Sequence, residues 1–366
     1  MFYFSRSNLM FLFILATVFL AACDDMHDVP TPVSLPQTPG ENGIIFVLSE
    51  GLFNMNNSTL CKVNFDNKTI EPDYFTNING RGLGDTANDM EFYDHLLWIV
   101  VNVSSQVEII DPNTGISIRR IPIFNPSGMA RQPRFITFDQ QKAYVCSFDG
   151  TVSRIDIPSL KVDAVTTCGR NPDGIAFANN KLYVSNSGGL DQPNYDHTIS
   201  VIDLNSFVEI KKIDVGLNPY KLQADSQGDI YVISRGNNGN IQPTWIKINT
   251  KTDLVEHVFT ELPVTNFCIR NDTAFMYNFD YPTNLYAIKT FDCKKEQLIS
   301  AHFVTDSTKI ERPYAIYANP KNGHIYIADA RNYTVKGDMF CFNSNGKLLY
   351  KLNNIGLNPN SVIALP

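Results

Sequence analysis

One short sequence unit recurs seven times along this chain, and it limits the possible folds more than any other feature. The unit is a strand in which an aromatic residue stands between small or apolar residues. Its clearer copies are Ala143-Tyr144-Val145, Leu182-Tyr183-Val184, Ile230-Tyr231-Val232 and Ile325-Tyr326-Ile327, and its weaker copies are Ile45-Phe46-Val47, Leu97-Trp98-Ile99 and Ala274-Phe275-Met276. Successive aromatic residues are 39 to 52 residues apart. A repeat of this period predicts stacked β units rather than a single irregular domain.

Two further markers recur along the repeat. A strand ending in Ile-Asp or Ile-Asn, as at Ile110-Asp111 and Ile202-Asp203, is followed by a turn, which Asp and Asn favour by capping backbone N–H groups. A proline, as at Pro219 and Pro313, precedes the first strand, where no backbone donor is needed. Each unit therefore holds four short strands, which is one propeller blade. We predict an all-β, seven-bladed β-propeller.

The two ends of the repeat region indicate how the ring closes. The first unit begins at Gly43 without a first strand, and residues 359–365 supply a lone copy of that strand after the seventh unit. We predict that this C-terminal strand completes blade 1 beside Ile44–Leu48, which removes exposed strand edges. An open β-solenoid or a pair of sandwiches is the alternative, but neither explains a missing first strand matched by a spare last one.

The N-terminus has the pattern of a lipoprotein signal peptide. Arg6 is followed by an apolar run from Leu9 to Leu20, and then by Ala21-Ala22-Cys23, which resembles the bacterial lipobox. A retained transmembrane helix is the alternative, but the run is short for a span of about 20 residues. We predict a signal peptide at 1–22, a lipidated Cys23 with a Pro-rich tether at 23–42, and the propeller at 43–366.

Acidic residues directly after Cys23 bear on the cellular location. Asp24-Asp25-Met26-His27-Asp28 resembles the surface-export signal of Bacteroidetes lipoproteins, whereas in enterobacteria an Asp there resembles an inner-membrane retention signal. Four prolines between 30 and 39 make the tether stiff and extended. We predict an outer-membrane protein, exposed at the cell surface and attached to the membrane only through its lipid.

Charge and motif content argue against several functions. The net charge is −7 and no basic run occurs, which disfavours nucleic acid as a partner. The six histidines and the six cysteines after Cys23 are scattered, so we predict neither a metal site nor an intrinsic cofactor; disulfides remain open. Nucleophile-elbow and phosphate-loop motifs are missing, and we assign no catalytic residue.

Propeller geometry places a set of candidate ligand-binding residues without a structure. Turns after second strands and links from fourth strands to the next blade share one face, where they surround the channel mouth. The long insertion 188–197 lies on this face as well. Arginines there could instead form structural ion pairs between blades. The candidates are Arg81, Asp85, Asn102, Arg134, Phe148, Arg170, Asp173, Asn186, Tyr220, Arg235, Asn237, Asn278, Phe279, Tyr281, Arg312, Tyr314, Asp329 and Arg331.

The repeat resembles the YncE-like, surface-layer-type seven-bladed propellers over residues 43–366. Ser49-Glu50-Gly51-Leu52-Phe53, Trp98-Ile99-Val100-Val101-Asn102 and 322–330 are more narrowly similar to Bacteroidetes surface lipoproteins, a group that includes the BtuG-type cobalamin-binding proteins. The resemblance implies non-catalytic capture of a scarce nutrient, cobalamin or another corrinoid, which is passed to an outer-membrane TonB-dependent transporter. It assigns no individual ligand contact.

Three other functions compete with this expectation, because a fold does not fix a function. The chain could bind glycans through its rim aromatics, or it could be a protein-interaction scaffold. A propeller lactonase or lyase would need converging acids, bases or metal ligands at the channel, and the sequence shows no such cluster.

Overall fold

The computed structural model describes residues 33–38, 40–237 and 239–365 of the chain. Over these residues it contains 29 strands and one helix, α1 (Tyr74–Asn79), which ends at Gly80 with φ +64°. The two-residue strand β1 (Val33–Ser34) precedes Leu35, whose backbone N–H donates to the carbonyl of Lys68.

The remaining strands form seven antiparallel blades of four strands each, and the order within each blade runs from the inner to the outer strand. Blade 1 contains β29 (Pro359–Ala364), β2 (Ile44–Ser49), β3 (Thr59–Asn64) and β4 (Thr69–Glu71); blade 2 contains β5 (Ala87–Tyr93), β6 (Leu96–Val101), β7 (Gln106–Ile110) and β8 (Ser117–Pro122); blade 3 contains β9 (Pro133–Asp139), β10 (Lys142–Ser147), β11 (Thr151–Asp156) and β12 (Lys161–Thr167); blade 4 contains β13 (Pro172–Ala178), β14 (Lys181–Asn186), β15 (Thr198–Asp203) and β16 (Val208–Asp214).

The last three blades follow the same order. Blade 5 contains β17 (Pro219–Ala224), β18 (Ile230–Ser234), β19 (Thr244–Asn249) and β20 (Leu254–Phe259); blade 6 contains β21 (Asn266–Arg270), β22 (Thr273–Asp280), β23 (Leu285–Asp292) and β24 (Gln297–Ser300); blade 7 contains β25 (Pro313–Ala318), β26 (Ile325–Asp329), β27 (Lys336–Phe342) and β28 (Leu348–Leu357). The predicted all-β propeller of seven blades is confirmed.

Ring closure also occurs as predicted. Strand β29 pairs antiparallel with β2, with Phe46 opposite Ile363 and Val47 opposite Val362. The innermost strand of blade 1 thus comes from the far end of the repeat region, and β2 has a hydrogen-bonded partner on both of its edges.

The repeated aromatic residue has the same place in every blade. It lies in the second strand and is buried in all seven cases: Phe46, Trp98, Tyr144, Tyr183, Tyr231, Phe275 and Tyr326. Three of the tyrosine hydroxyls also reach beyond their own blade; that of Tyr231 donates to the carbonyl of Cys293 in blade 6 at 3.0 Å. The repeat is therefore a packing signal, because a large ring fills the space between neighbouring sheets.

The apolar core is a ring of seven clusters, one at each junction between adjacent blades. At the junction of blades 4 and 5, for example, Tyr183 and Val201 pack against Leu222 and Val232. The same arrangement recurs from blades 1 and 2 round to blades 7 and 1. No blade has a core of its own, so each sheet depends on both neighbours for burial.

A circle of polar contacts crosses the same seven junctions near the channel. Groups on the inner strand, or directly after the second strand, of one blade bond to the next blade. The bonds are Asn360 Nδ2 to the Ala87 carbonyl (2.8 Å), Ile136 N–H to Asp89 (3.0 Å), Arg134 to Asp173 (2.7 Å), Arg235 to Asp173 (3.2 Å), Ile269 N–H to Gln223 (2.9 Å), Asn266 Nδ2 to the Tyr314 carbonyl (3.2 Å), and Tyr314 hydroxyl to Glu50.

The predicted signal peptide, lipidation at Cys23 and most of the predicted tether lie outside the described residues and stay predictions. The end of the tether is described, and there Glu41 is buried against blade 7. Within the described part of the chain, no helix is long and apolar enough to span a membrane.

Candidate functional site

A cavity of about 1140 Å³ occupies the central channel, and residues from the inner strands of all seven blades line it. An inner strand has one hydrogen-bonding edge that no fifth strand covers, so this edge and the side chains beside it face the channel. The cavity has both aromatic and polar walls, the usual make-up of a small-molecule site. It is the candidate functional site.

Two arginines meet one buried carboxylate at the mouth of the channel. Arg134 Nε donates to Asp173 Oδ1 at 2.7 Å, and Arg235 Nη1 donates to Asp173 Oδ2 at 3.2 Å. The guanidinium carbon of Arg235 also lies over the ring of Tyr220, 3.3 Å from its centroid, while that of Arg134 lies over Phe148. These contacts hold both guanidinium planes in fixed positions, so their remaining N–H groups are oriented before any ligand arrives.

A carboxyl–phenol pair lies at the same end of the channel. The Tyr314 hydroxyl donates to Glu50, and the Tyr277 hydroxyl donates to the Tyr314 carbonyl at 2.8 Å. Burial raises the pKa of Glu50, although the hydrogen bond from Tyr314 opposes this shift. The pair can offer either an acceptor or, when Glu50 is protonated, an additional donor to a ligand.

Charged side chains from blades 2 and 5 extend into the middle of the channel. Asp89 accepts the Ile136 N–H, and Lys221 donates to Asn266 Oδ1 at 3.0 Å. Asp89 is buried, and burial raises its pKa. Glu91 is exposed to the solvent inside the channel, but the surrounding protein reduces its solvation, and this desolvation together with the charge of Asp89 raises its pKa. Burial also lowers the pKa of Lys221.

The channel contains ionisable groups of both signs, and their pKa values do not all shift in the same direction. Three acids, Glu50, Asp89 and Glu91, share the cavity with three bases, Arg134, Lys221 and Arg235. Desolvation moves the pKa of all three acids and of Lys221 toward neutrality. Arg134 differs: burial opposes its charge, but Asp173 raises its pKa and keeps it cationic. With acids and bases equal in number, a neutral ligand with many polar groups would find both donors and acceptors.

Six of the eighteen predicted ligand-binding residues line this cavity: Arg134, Tyr220, Arg235, Phe279, Tyr281 and Tyr314. They come from blades 3, 5, 6 and 7, and the structure brings them to one end of the channel. Ligand contact by these six remains a prediction.

The other twelve predicted residues are not among those that line the cavity. All twelve instead contact other protein groups. Four form ion pairs: Arg81 with Glu108, Arg170 with Asp191, Asp173 with two arginines, and Arg331 with Asp338. Two carboxylates accept backbone N–H groups, Asp85 two of them and Asp329 three. The others are Asn102, which donates to the Pro133 carbonyl; Phe148, which lies under Arg134; Asn186, which accepts from the Gly169 N–H; Asn237, which orders its own turn; Asn278, which accepts from the Thr265 hydroxyl; and Arg312, which donates to Asn284.

The long insertion of blade 4 reaches the channel. Gly189, Gln192 and Tyr195 from this loop line the cavity. Arg170 fixes the loop by donating to Asp191 at 2.8 Å and to the Asn194 carbonyl at 2.8 Å. The insertion thus extends the wall of the cavity on one side.

Sequence reasoning missed the inner-strand residues, among them Asp89, Glu91, Lys221, Asn266 and Asn360. A usable signal was present, because two acids in the strand Ala87–Tyr93 have no place in an apolar core. The six cysteines at 61–341 are all free thiols. One cluster of potential metal ligands, Glu41, His324 and Cys341, is present in the described residues and lies apart from the cavity lining.

Fold and site together define a closed seven-bladed propeller with a ligand-sized central cavity. The chain belongs to the DUF5074 family, described as a domain of unknown function, whose model matches residues 42–356. The sequence matches no curated protein.

Solved structures share the fold at low sequence identity. A quinoprotein alcohol dehydrogenase-like protein of Bacteroides thetaiotaomicron is 17% identical with a TM-score of 0.66, covering 88% of this chain and 78% of that one. The hydrazine synthase of Kuenenia stuttgartiensis is 15% identical with a TM-score of 0.55 (69% and 74% covered), and the computationally designed Ika8 protein is 14% identical with a TM-score of 0.52 (74% and 87% covered). At these identities the likeness concerns the fold alone.

Proposed function

We propose that this chain is a non-catalytic binding protein that captures a large, neutral, polar ligand in the mouth of its central channel. The cavity of about 1140 Å³, whose wall combines aromatic rings with polar groups and with acids and bases in equal number, is the observation that carries the proposal. Pre-positioned groups such as Arg235 over Tyr220 support it, because ordering them costs nothing at the moment of binding.

Cobalamin is the ligand we propose first. The sequence resemblance to cobalamin-binding surface propellers motivates this choice, and the chemistry of the channel is compatible with it. A corrin is flat and bears neutral amide arms, which need aromatic contact and many hydrogen bonds. The ligand brings its own cobalt, so this role requires no metal ligand from the protein.

The cellular setting is part of the proposal. Lipidation at Cys23 would hold the protein at the outer membrane, and a TonB-dependent transporter would receive the ligand. Metabolic labelling with a fatty-acid analogue tests the anchor: wild type should carry the label and C23A should not. Label that persists in C23A would contradict this anchor while leaving the ligand proposal standing.

Isothermal titration calorimetry of the purified protein with cobalamin and with cobinamide tests the ligand. We expect saturable binding at a 1:1 ratio and unchanged ligand after recovery. An absence of heat and of any shift in melting temperature with both corrinoids would exclude this ligand class.

A glycan is the second candidate, favoured by one rim feature. Tyr281 is well exposed and meets Phe279 edge-on with ring centroids 4.9 Å apart, which leaves a flat surface for a sugar ring. Oligosaccharide binding that is lost in Y281A, together with no corrinoid binding, would favour this function over the first.

A further inference from the structure

Glu41, at the end of the predicted tether, has an unusual environment for a carboxylate. Its side chain is only 1% exposed, and one oxygen receives the hydroxyls of Tyr326 (2.6 Å) and Tyr350 (2.8 Å). His324 Nδ1 lies 2.8 Å from the same oxygen, and Cys341 Sγ lies 3.4 Å from it. Three side chains of metal-binding type therefore converge from segments far apart in the sequence.

Blade 4 contains an internal counterpart of this cluster. There Tyr183, the aromatic residue equivalent to Tyr326, donates to Asp253, and Asp253 forms an ion pair with Lys181 at 2.7 Å. Lys181 stands two residues before Tyr183, where His324 stands before Tyr326. Lys181 of blade 4 thus supplies a permanent cation to the carboxylate of Asp253, which lies in the turn between β19 and β20 of blade 5.

The residue paired with the aromatic residue on the neighbouring third strand also differs between the two blades. Val201 pairs with Tyr183 in blade 4, whereas Cys341 pairs with Tyr326 in blade 7. Where blade 4 has lysine and valine, blade 7 has histidine and cysteine. Both changes replace a side chain that cannot bind a transition metal under ordinary conditions with one that can.

The carboxylate of Glu41 lacks a permanent counter-charge. In the described part of the chain no lysine or arginine lies within ion-pair distance of it, and His324 is its sole basic neighbour. A buried carboxylate without a compensating cation is costly. A divalent ion bound between Glu41, His324 and Cys341 would supply that charge.

We propose that Glu41, His324 and Cys341 form a zinc site that fastens the end of the tether to blade 7. Their ligand atoms lie within 4.8 Å of one another. Tetrahedral Zn²⁺ separates a sulfur and an oxygen ligand by about 3.5 Å and a nitrogen and an oxygen ligand by about 3.3 Å. The Cys341–Glu41 distance already fits, and the imidazole would move outward by about half an ångström.

Neighbouring groups are suited to support such a site. The hydroxyls of Tyr326 and Tyr350 and the Asn322 side-chain amide all donate to the Glu41 carboxylate. Metal-bound carboxylates are commonly held by hydrogen bonds of this kind, which fix their orientation. Burial raises the pKa of the Cys341 thiol, so its proton must leave when the metal binds.

Metal titration of the demetallated protein tests the proposal. Zn²⁺ affinity is measured by competition with a chelating indicator, and Co²⁺ serves as a spectroscopic probe, since a cobalt–thiolate bond gives a near-ultraviolet charge-transfer band. We expect one ion per chain, a cobalt–thiolate band, and binding that tightens as pH rises.

The variants follow from the blade 4 counterpart. C341V and H324K install the residues that blade 4 uses at these positions, so the fold should persist while Zn²⁺ binding weakens at least tenfold and the cobalt band disappears. C61S is the matched control, because Cys61 is a buried strand cysteine of the same apolar cluster, and it should keep both signals. Wild type that binds no stoichiometric metal, or a cobalt band that survives in C341V, would overturn the zinc site.

Discussion

Arg134 of blade 3 donates through Nε to the carboxylate of Asp173 in blade 4 at 2.7 Å, with both side chains largely buried. Asp173 also receives Arg235 of blade 5, so one carboxylate joins three consecutive blades at the channel mouth. The pair shows how the site and the ring share components: the groups that shape the mouth also hold neighbouring blades in place.

Replacing Asp173 with asparagine should strongly destabilise the propeller. D173N removes the negative charge between two arginines and leaves the buried Arg134 uncompensated, which costs about 3–5 kcal/mol in the free energy of unfolding. Urea denaturation followed by tryptophan fluorescence measures the loss. D191N is the control, because Asp191 pairs with Arg170 on the exposed insertion and should cost no more than about 1 kcal/mol. Equal losses in the free energy of unfolding for D173N and D191N would show that the contacts of Asp173 stabilise the propeller no more than an exposed ion pair does.

Replacing Arg235 with glutamine should weaken ligand binding while the propeller still folds, because Asp173 keeps its closer ion pair with Arg134. Arg235 is partly exposed at the mouth, and its stacking on Tyr220 orients N–H groups toward the cavity. Loss of a charged donor should lower corrinoid affinity roughly tenfold to a hundredfold by calorimetry. R120Q, on the exposed outer strand β8, should bind as wild type does. Unchanged affinity in R235Q would place the ligand elsewhere.

The stability of the protein should fall as pH rises through the neutral range, and Glu91 should be one cause. Desolvation by the walls of the channel, together with the charge of Asp89, raises the pKa of Glu91 from 4.5 to about 8. A carboxyl whose pKa rises on folding binds its proton more tightly in the folded state. Its contribution to stability is therefore greatest below pH 4.5 and is lost as pH approaches 8.

Melting temperatures of wild type and E91Q between about pH 5 and pH 8 test this dependence. E91Q removes the titrating group, so its melting temperature should fall less over that range than that of wild type. E261Q, at an exposed position, should retain the wild-type slope. Parallel curves for wild type and E91Q would exclude Glu91 as the source.

Removal of the C-terminal strand should abolish closure of the ring. A chain that stops after Asn358 lacks β29, which leaves the edge of β2 unpaired and exposes the apolar groups that Val362 and Ile363 cover. We expect loss of a cooperative thermal transition and self-association in light scattering. A synthetic peptide of residues 359–366 should restore a monomeric species; a stable monomer without it would contradict the closure role of β29.

Sequence patterns were sufficient for the fold because each blade repeats the same signal. Seven aromatic residues, six first strands in place and one displaced first strand leave few alternatives to a closed ring. The channel was harder to predict, since whether a polar residue such as Lys221 faces the channel or a neighbouring blade depends on strand register. The sequence also does not show which hairpins lie side by side. Arg81 pairs with Glu108, so for this arginine the structure contains the structural ion pair that we considered as the alternative to ligand binding.

The convergence of Glu41 with His324 and Cys341 could not be predicted from the spacing of these residues in the sequence. Glu41 and His324 are 283 residues apart, and only ring closure brings the chain before blade 1 beside blade 7. Short-spacing rules for metal ligands do not detect such a set. Comparison of equivalent positions between blades would have indicated it, because histidine and cysteine stand where blade 4 has lysine and valine.

Ring closure through β29 also determines the order in which the blades can be completed during synthesis. Strand β2 is synthesised early, but its inner partner becomes available only more than 300 residues later. Contacts of such large sequence separation form slowly, and incomplete blades expose apolar surface in the meantime. Blade 1 is therefore the last to be finished although it is the first to be made, and an exported chain would need protection from aggregation until its final strand has emerged.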